Sequence, residues 1–405
     1  MIIYFPVAKK PKNRERMSKS RILIIAGEIS GDLQASLLVE NLQQIAPQLE
    51  FIGVGGRKME AAGVKMLAYT MHMGTVGFTE GFKFYPAFWK IKSKISQFLR
   101  RNPPDLIILV DCRDFNLRIA ALAKKLGIPT AYYIAPPVWA WPDWRAKWIA
   151  REVTKIIAIF PFEAEVYKKA GANVSFVGYP LVDLIKPTLK KEEIYQKFNL
   201  AKKKPVIGLL PGSRGHEINA HLPLMIQAAE IVYQKRNEPQ FYVPVADPAF
   251  KKRISYLVSK SKIPIRIVDN GLYDLMSISR LIVTASGTVT LEASFLKTPM
   301  IVVYKLSLPT WMMGKIIVKL PYISLPNIIS GRQIVPELIQ FQFTPISLAR
   351  KVLEFLLDEQ KLREMKKQLD EVTQKLGSPG AVQRAAGVIK EMMDSHYSSV
   401  NKDCQ

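Results

Sequence analysis

The chain is expected to be an α/β protein built from two doubly wound parallel sheets, and three observations predict this. Short apolar runs alternate with helix-period segments along most of the 405 residues, which is the signature of repeated βαβ units. The length allows two substantial cores, and an apolar fraction of 48% excludes disorder as the main state. The alternation breaks once, at Tyr179-Pro180 through Pro187, before the charged stretch 189–204.

Residues 1–17 precede the first apolar run and read as a disordered or mis-called extension, because Met17 before Ser-Lys-Ser looks like a natural start. In the first domain, 18–185, strands are expected at 21–27, 50–54, 106–110, 130–134 and 155–160, with helices at 32–45 and 116–126. The second domain, 186–365, repeats the pattern with strands near 205–210, 240–245, 264–268, 281–285 and 299–304. A basic helical tail, 366–405, can lie across the other domain or a partner subunit, so a homodimer is among the expected assemblies. Ligands of such sheets bind at the carboxyl ends of the strands.

Two strand-to-helix turns in the second domain carry anion-binding chemistry. Leu209-Leu210-Pro211-Gly212-Ser213-Arg214-Gly215-His216-Glu217 runs from a strand through a Pro-Gly turn into a helix expected from Glu217. Its free amides favour an anion, and Arg214 adds a planar cationic fork suited to phosphate. Downstream, the strand ending at Ala285 enters Ser286-Gly287-Thr288 and a helix near Val289. Ser286 and Thr288 can cap that helix or lend hydroxyls to a ligand, while Gly287 admits a close approach. Glu292 lies one turn in, where a carboxylate can accept from ribose hydroxyls or complement the helix dipole. The pair of turns points to a nucleotide diphosphate.

The first domain offers acids instead. Ala26-Gly27-Glu28-Ile29-Ser30-Gly31-Asp32 closes the first strand, and Glu28, Ser30 and Asp32 can hydrogen-bond a sugar while also capping a helix. Asp111-Cys112-Arg113-Asp114-Phe115-Asn116 follows another strand. Trp139, Trp141, Trp144 and Trp148 are four of the six tryptophans, and aromatic faces of this kind stack on sugars or acyl chains. The segment Phe82–Arg101 places Phe88, Trp89, Ile95, Phe98 and Leu99 near helical spacing after Pro86, among Lys90, Lys92, Lys94, Arg100 and Arg101. It reads either as an interfacial amphipathic helix on a membrane or as a helix packed on a sheet.

Composition limits the alternatives. A net charge of +24 attracts polyanions, yet no nucleic-acid-binding signature accompanies it and no nucleic-acid partner is expected. Cys112 and Cys404 give no disulfide framework, which fits a reducing cytoplasm. No apolar run is long enough to span a bilayer, and no signal peptide is evident. Gly53-Val-Gly55-Gly56 lacks the third glycine of a dinucleotide fingerprint, and no Walker A sequence occurs. The four histidines do not cluster with acids or cysteines at metal-ligand spacing, so neither a metal nor another cofactor is expected.

These motifs resemble the bacterial lipid-A-disaccharide synthase family of glycosyltransferases over residues 20–385. The resemblance rests on AGExSGD at 26–32, DxxDFN at 111–116, PxVWAW at 136–141, LLPGSRGxE at 209–217, ASGTxxLE at 285–292 and YxSLPNxxxGR at 322–332. It implies two Rossmann-like domains in the GT-B arrangement, with an interdomain cleft. It further implies inverting transfer of 2,3-diacylglucosamine from UDP-2,3-diacylglucosamine to 2,3-diacylglucosamine 1-phosphate (lipid X), giving a β-1,6 disaccharide 1-phosphate and UDP. The implied location is the cytoplasm, peripherally on the inner face of the cytoplasmic membrane, with the first domain holding the acceptor. Gly77 and Glu80 match the family's Met-Gly-Xaa-Xaa-Glu, although Val76 replaces its methionine; Cys112-Arg113 replaces Ala-Pro between the two acids, Ala135 a serine, and Pro142 an arginine.

An acceptor hydroxyl attacking the anomeric carbon needs a general base on the first domain. Asp111 is the first candidate, followed by Asp114 and Glu28. Ser30, Asp32, Glu80, Asn116, Trp139 and Trp141 are expected to contact substrate. On the donor side stand Ser213, Arg214, Ser286, Gly287, Thr288, Glu292, Asn327 and Arg332. The alternative is another UDP-sugar enzyme of the same architecture, a different glycosyltransferase or a 2-epimerase.

Overall fold

The computed structural model describes residues 20–27, 29–70, 81–136, 138, 144–236, 239–317 and 321–402, with side chains at 29, 81–88, 113, 114, 236, 313–317 and 396–402 left out. The expected extension 1–17 lies outside the described residues.

The first domain carries strands β1 (Arg21–Ala26), β2 (Glu50–Gly55), β3 (Lys65–Tyr69), β4 (Leu106–Val110), β5 (Thr130–Tyr133), β6 (Lys155–Ala158) and β7 (Val174–Phe176). Its helices are α1 (Ile29–Ile45), α2 (Arg57–Ala61), α3 (Gly81–Arg101), α4 (Arg113–Lys125), α5 (Trp144–Glu152) and α6 (Pro161–Lys169). The strands form one parallel sheet in the order β3-β2-β1-β4-β5-β6-β7. β1, β4 and β5 are apolar nearly throughout because helices cover both of their faces.

The second domain begins with α7 (Lys191–Lys197) and contains β8 (Val206–Leu210), α8 (Gly215–Arg236), β9 (Gln240–Pro244), α9 (Lys251–Val258), β10 (Ile265–Val268) and α10 (Leu272–Ile278). It continues through β11 (Leu281–Ala285), α11 (Val289–Phe295), β12 (Met300–Tyr304), α12 (Leu308–Ile317), α13 (Leu325–Ser330), β13 (Glu337–Ile339), α14 (Pro345–Leu357) and α15 (Glu359–Gln374). Its parallel sheet runs β10-β9-β8-β11-β12-β13. In both sheets the strand order therefore reverses at the same topological point, between β1 and β4 and between β8 and β11. Loops leaving adjacent strands there face a shared crevice.

Three strands were not expected from sequence: β3, β7 and β13. All are sheet edges, where one side is open and a continuous apolar run is not required. α3 begins at Gly81 rather than after Pro86. Along α3, Ile95 and Leu99 are buried in the core beneath the first sheet and Ile91 and Phe98 pack against it. Most of the apolar residues expected to face a membrane thus serve as core, while Trp89 remains 54% exposed.

The domain crossings are held by specific contacts. The Asp274 carboxylate accepts from the Thr188 and Leu189 amides at 2.6 and 3.1 Å, tying the incoming chain to α10. The final helix, α16 (Ala381–Lys402), returns to pack on α1 of the first domain. Arg384 clamps the two crossings by donating to Val177 O (2.9 Å) and Pro379 O (2.8 Å). The tail expected to start at 366 begins later, because position 366 lies inside α15, which packs on α11 and α13 of the second domain.

Candidate active site between the domains

A cleft of about 690 Å³ opens between the carboxyl ends of the two sheets. Its first-domain wall consists of Ser30, Leu33, Lys58 and Asp111. The second-domain wall includes Arg214, the 286–289 turn, Asp247, Asn270 and Glu292. Strand register sets this meeting. Ala26 pairs with Val110, bringing the start of α1 beside Asp111, and Thr284 pairs with Leu210, bringing the two anion turns side by side.

Asp111 occupies a shaped loop. Asp111 and Cys112 both take left-handed backbone, with φ of 50° and 46°, which for non-glycine residues persists only where surrounding contacts hold it. Those contacts are present: Tyr132 Oη and Asn116 Nδ2 donate to Asp111 O at 2.8 and 2.7 Å. Gly27 makes room for the loop, since a Cβ there would collide with Cys112 Sγ. The Asp111 carboxylate accepts from the Cys112 amide at 2.9 Å and from the Ser30 hydroxyl. Burial raises its pKa, against the opposing pull of the Cys112 amide and of Arg214 across the cleft. An aspartate raised in this way is a better proton acceptor than a solvated one.

The Pro-Gly-Ser-Arg turn differs from expectation in one respect. The Ser213 and Arg214 amides do not point freely at a ligand: both donate to Glu217 Oε2, at 3.1 and 3.2 Å. Gly212 has φ of 116°, and a Cβ there would strike the same carboxylate. His221 braces the turn from behind, its Nδ1 donating to Pro211 O (2.7 Å) while Nε2 accepts from the Lys305 amide (3.0 Å). Those two partners require the neutral ring protonated on Nδ1, and burial lowers the imidazole pKa in agreement. The anion-binding capacity of this turn therefore rests on the Arg214 side chain, whose Nη1 lies 3.6 Å from Glu217 Oε1.

The second turn keeps its amides. Gly287, Thr288 and Val289 N–H groups have no intramolecular acceptor among the described residues. Ser286 spends its hydroxyl on Ile323 O at 2.7 Å. Glu292 lines the cleft; burial raises its pKa, while hydrogen bonds from Tyr273 and Thr288 hold it down.

Several expected contacts are corrected. Asn327 is fully buried and saturated: it donates to Val335 O and Glu337 Oε1 (2.9 and 2.7 Å) and accepts from the Ile334 and Val335 amides. It has no hydrogen-bonding capacity left for a ligand. Arg332 is exposed, 3.6 Å from Glu371, and does not line the cleft. Asn116 is buried beneath Asp111 and acts by holding its loop. Asp32 spends its carboxylate on the Gly56, Lys58 and Met59 amides at 2.8, 3.0 and 3.1 Å. Ser30, Ser213, Arg214, Gly287, Thr288 and Glu292 do line the cleft, as does Ser286 with its hydroxyl engaged. Glu28, Glu80, Trp139 and Trp141 lie outside the described residues, as does the side chain of Asp114.

The comparisons with known proteins agree with this arrangement. A family described as lipid-A-disaccharide synthetase matches residues 22–392. The chain belongs to the lipid-A-disaccharide synthetase family. It is 37% identical to the lipid-A-disaccharide synthase of Geobacter metallireducens over 373 residues, covering 92% of this chain and 97% of that one. In fold it is similar to UDP-GlcNAc 2-epimerase from Neisseria meningitidis bound to UDP-GlcNAc (TM-score 0.62, 14% identity, 92% and 100% of the two chains). It is likewise similar to MurG of Acinetobacter baumannii (TM-score 0.58, 14% identity, 92% and 99%). The chain is thus a glycosyltransferase whose two α/β domains take the GT-B arrangement.

Sequence reasoning missed Lys58, Asp247, Asp269 and Asn270 in the cleft. Asp247, Asp269 and Asn270 follow β9 and β10, so the strand-end rule carried the signal. It also missed Glu337, which accepts from the Ile323 and Ser324 amides (each 3.0 Å) and from Asn327. Through Ile323, that carboxylate sets the position of Ser286. The Ser-Leu-Pro-Asn motif therefore works as a support for the second turn.

Proposed function

We propose that the chain transfers 2,3-diacylglucosamine from UDP-2,3-diacylglucosamine to the 6-hydroxyl of lipid X, with inversion. The observation that carries this reading is the opposition of Asp111 and Arg214 across one cleft, reached from two different domains. The acceptor oxygen forms a bond to the anomeric carbon as the bond from that carbon to the diphosphate breaks. The electron pair leaves with UDP, and the hydroxyl proton passes to Asp111. Arg214 and the Gly287–Val289 amides meet the charge that grows on the departing diphosphate, and Glu292 stands where ribose hydroxyls can donate to it.

A 2-epimerase shares the fold, but the cleft wall carrying Asp111 suits an acceptor. The deciding experiment measures UDP release from UDP-2,3-diacylglucosamine with and without lipid X, each with and without magnesium. Release that requires lipid X and yields a disaccharide 1-phosphate is expected. Conversion of UDP-N-acetylglucosamine without any acceptor would overturn the reading.

The same reading places the first domain against an anionic membrane surface, where acylated substrates reside. No helix among the described residues is long and apolar enough to cross a membrane. Support comes from Trp89 on α3 and Trp144 on α5, 54% and 61% exposed, with Lys92 Nζ 4.9 Å over the Trp89 ring and the Arg145 guanidinium 5.4 Å over that of Trp144. Indole rings with neighbouring lysines suit a headgroup interface. Sedimentation with anionic vesicles is expected to be stronger than with zwitterionic ones and to weaken in a Trp89→Ser, Trp144→Ser variant. Equal sedimentation with both lipids would remove this part of the proposal.

A further inference from the structure

We propose that Lys58 is the residue that binds the anomeric phosphate of the acceptor; this rests on the reaction proposed above. Among the described residues, two lining cations face the cleft, one from each wall: Arg214 on the second domain and Lys58 on the first. Arg214 already has a carboxylate beside it, Glu217, and stands with the turns that hold a donor diphosphate. Lys58 has no acidic partner among the described residues, and its side chain is exposed. The cleft meanwhile contains the carboxylates of Asp111, Asp247, Asp269 and Glu292. A phosphate dianion brought among these acids without a compensating cation is repelled.

The attachment of Lys58 to the fold is unusually firm for an exposed lysine. Buried Asp32 grips three amides at the start of α2, including that of Lys58 itself at 3.0 Å. The same carboxylate oxygen that takes the Gly56 amide also takes that of Met59, whose side chain is buried against the first sheet. This fixes the origin of the lysine while leaving its ammonium free to turn. Asp32 therefore acts as a positioning residue, and the acid that looked like a sugar contact aims a cation at the substrate.

The assignment to the acceptor follows from the division of the cleft. The acceptor hydroxyl must reach Asp111, so the acceptor sugar lies along the first-domain wall. Among the described residues that line that wall, Lys58 is the cation able to meet a phosphate. A lysine ammonium is a compact point charge that tolerates several phosphate orientations, which suits a phosphate on the anomeric carbon, across the ring oxygen from the carbon bearing the reacting hydroxymethyl.

The test compares the full chain with Lys58→Ala and Lys58→Arg, using lipid X and its dephosphorylated counterpart 2,3-diacylglucosamine as acceptors. Lys58→Ala is expected to raise the KM for lipid X roughly 10- to 100-fold, the loss typical of a charge-assisted hydrogen bond. The KM for UDP-2,3-diacylglucosamine should stay within about twofold, and activity on the dephosphorylated acceptor should match the parent chain. Lys58→Arg should recover most of the lipid X affinity. An unchanged KM for lipid X, or a rise in donor KM instead, overturns the proposal. If the parent chain does not use lipid X at all, the reaction reading fails separately. Calorimetric titration with glucosamine 1-phosphate then decides the role of Lys58: weaker binding by Lys58→Ala sustains it, and equal binding overturns it.

Discussion

The two walls of the cleft are built on the same scaffold and do opposite chemistry. In each domain a central strand, β1 or β8, is flanked by a later strand, β4 or β11, and the loops at their carboxyl ends supply the site. In the first domain those loops carry an acid in strained left-handed backbone, held by Asn116 and Tyr132. In the second they carry an arginine and open amides, held by Glu217, His221 and Glu337. The lesson is that the doubly wound sheet supplies position only. The sign of the charge, and so the substrate half that is bound, is decided by a few side chains beyond the strand ends.

The sharpest way to break this comparison is to remove the acid. Asp111→Ala is expected to lower kcat roughly 10²- to 10⁴-fold while UDP binding, measured by calorimetry, stays unchanged. Equal loss of UDP affinity would show that the walls are not divided in function. Removing the cation should produce the complementary pattern. Arg214→Ala is expected to weaken UDP binding and to lower kcat about 10²-fold, and steady-state kinetics with both substrates varied will separate these effects. A normal UDP affinity in that variant would move the diphosphate away from this turn.

Asn327→Ala tests the supports rather than the walls. Two buried amides and the Glu337 carboxylate lose a partner, so denaturant unfolding should register a loss of about 2–3 kcal/mol. A variant as stable as the parent, with a raised donor KM, would return Asn327 to the ligand.

The prediction furthest from the cleft concerns the first-domain core. Glu163 is buried, and desolvation pushes its carboxyl up to about 8 in the folded chain from an ordinary 4.5. Below about pH 4.5 both states hold the proton. Between there and about pH 8 the unfolded chain releases it while the folded chain does not, so native stability falls as pH rises. Glu163→Gln should remove that slope, so that its stability relative to the parent chain changes little near pH 4 and rises progressively towards pH 8.5. Parallel unfolding curves for the two chains across this range would count against a neutral Glu163.

Much of this molecule was legible before its coordinates. The central strands announced themselves because burial on both faces demands uninterrupted apolar residues, as in Ile22–Ala26 and Leu106–Val110. The edge strands β3, β7 and β13 stayed hidden because an open side relaxes that demand. Arg214, Asp111 and the Ser286–Thr288 turn were recognisable since each sits directly after a strand and carries chemistry the fold does not require.

The roles of individual polar residues were another matter. From the chain alone, Asp32 and Asn327 were as suited to a substrate as Asp111 and Glu292. Only the folded structure showed that Asp32 is taken up by backbone amides and Asn327 by two amides, a carbonyl and the Glu337 carboxylate, and that Lys58, on a five-residue helix, stands at the cleft. The local sequence determines which groups are available and where strands end. Which of those groups remain unsatisfied, and so can serve a ligand, depends on hydrogen-bond partners in other elements, such as Glu337 of β13 for Asn327 and Gly56 before α2 for Asp32. That competition is settled by tertiary packing.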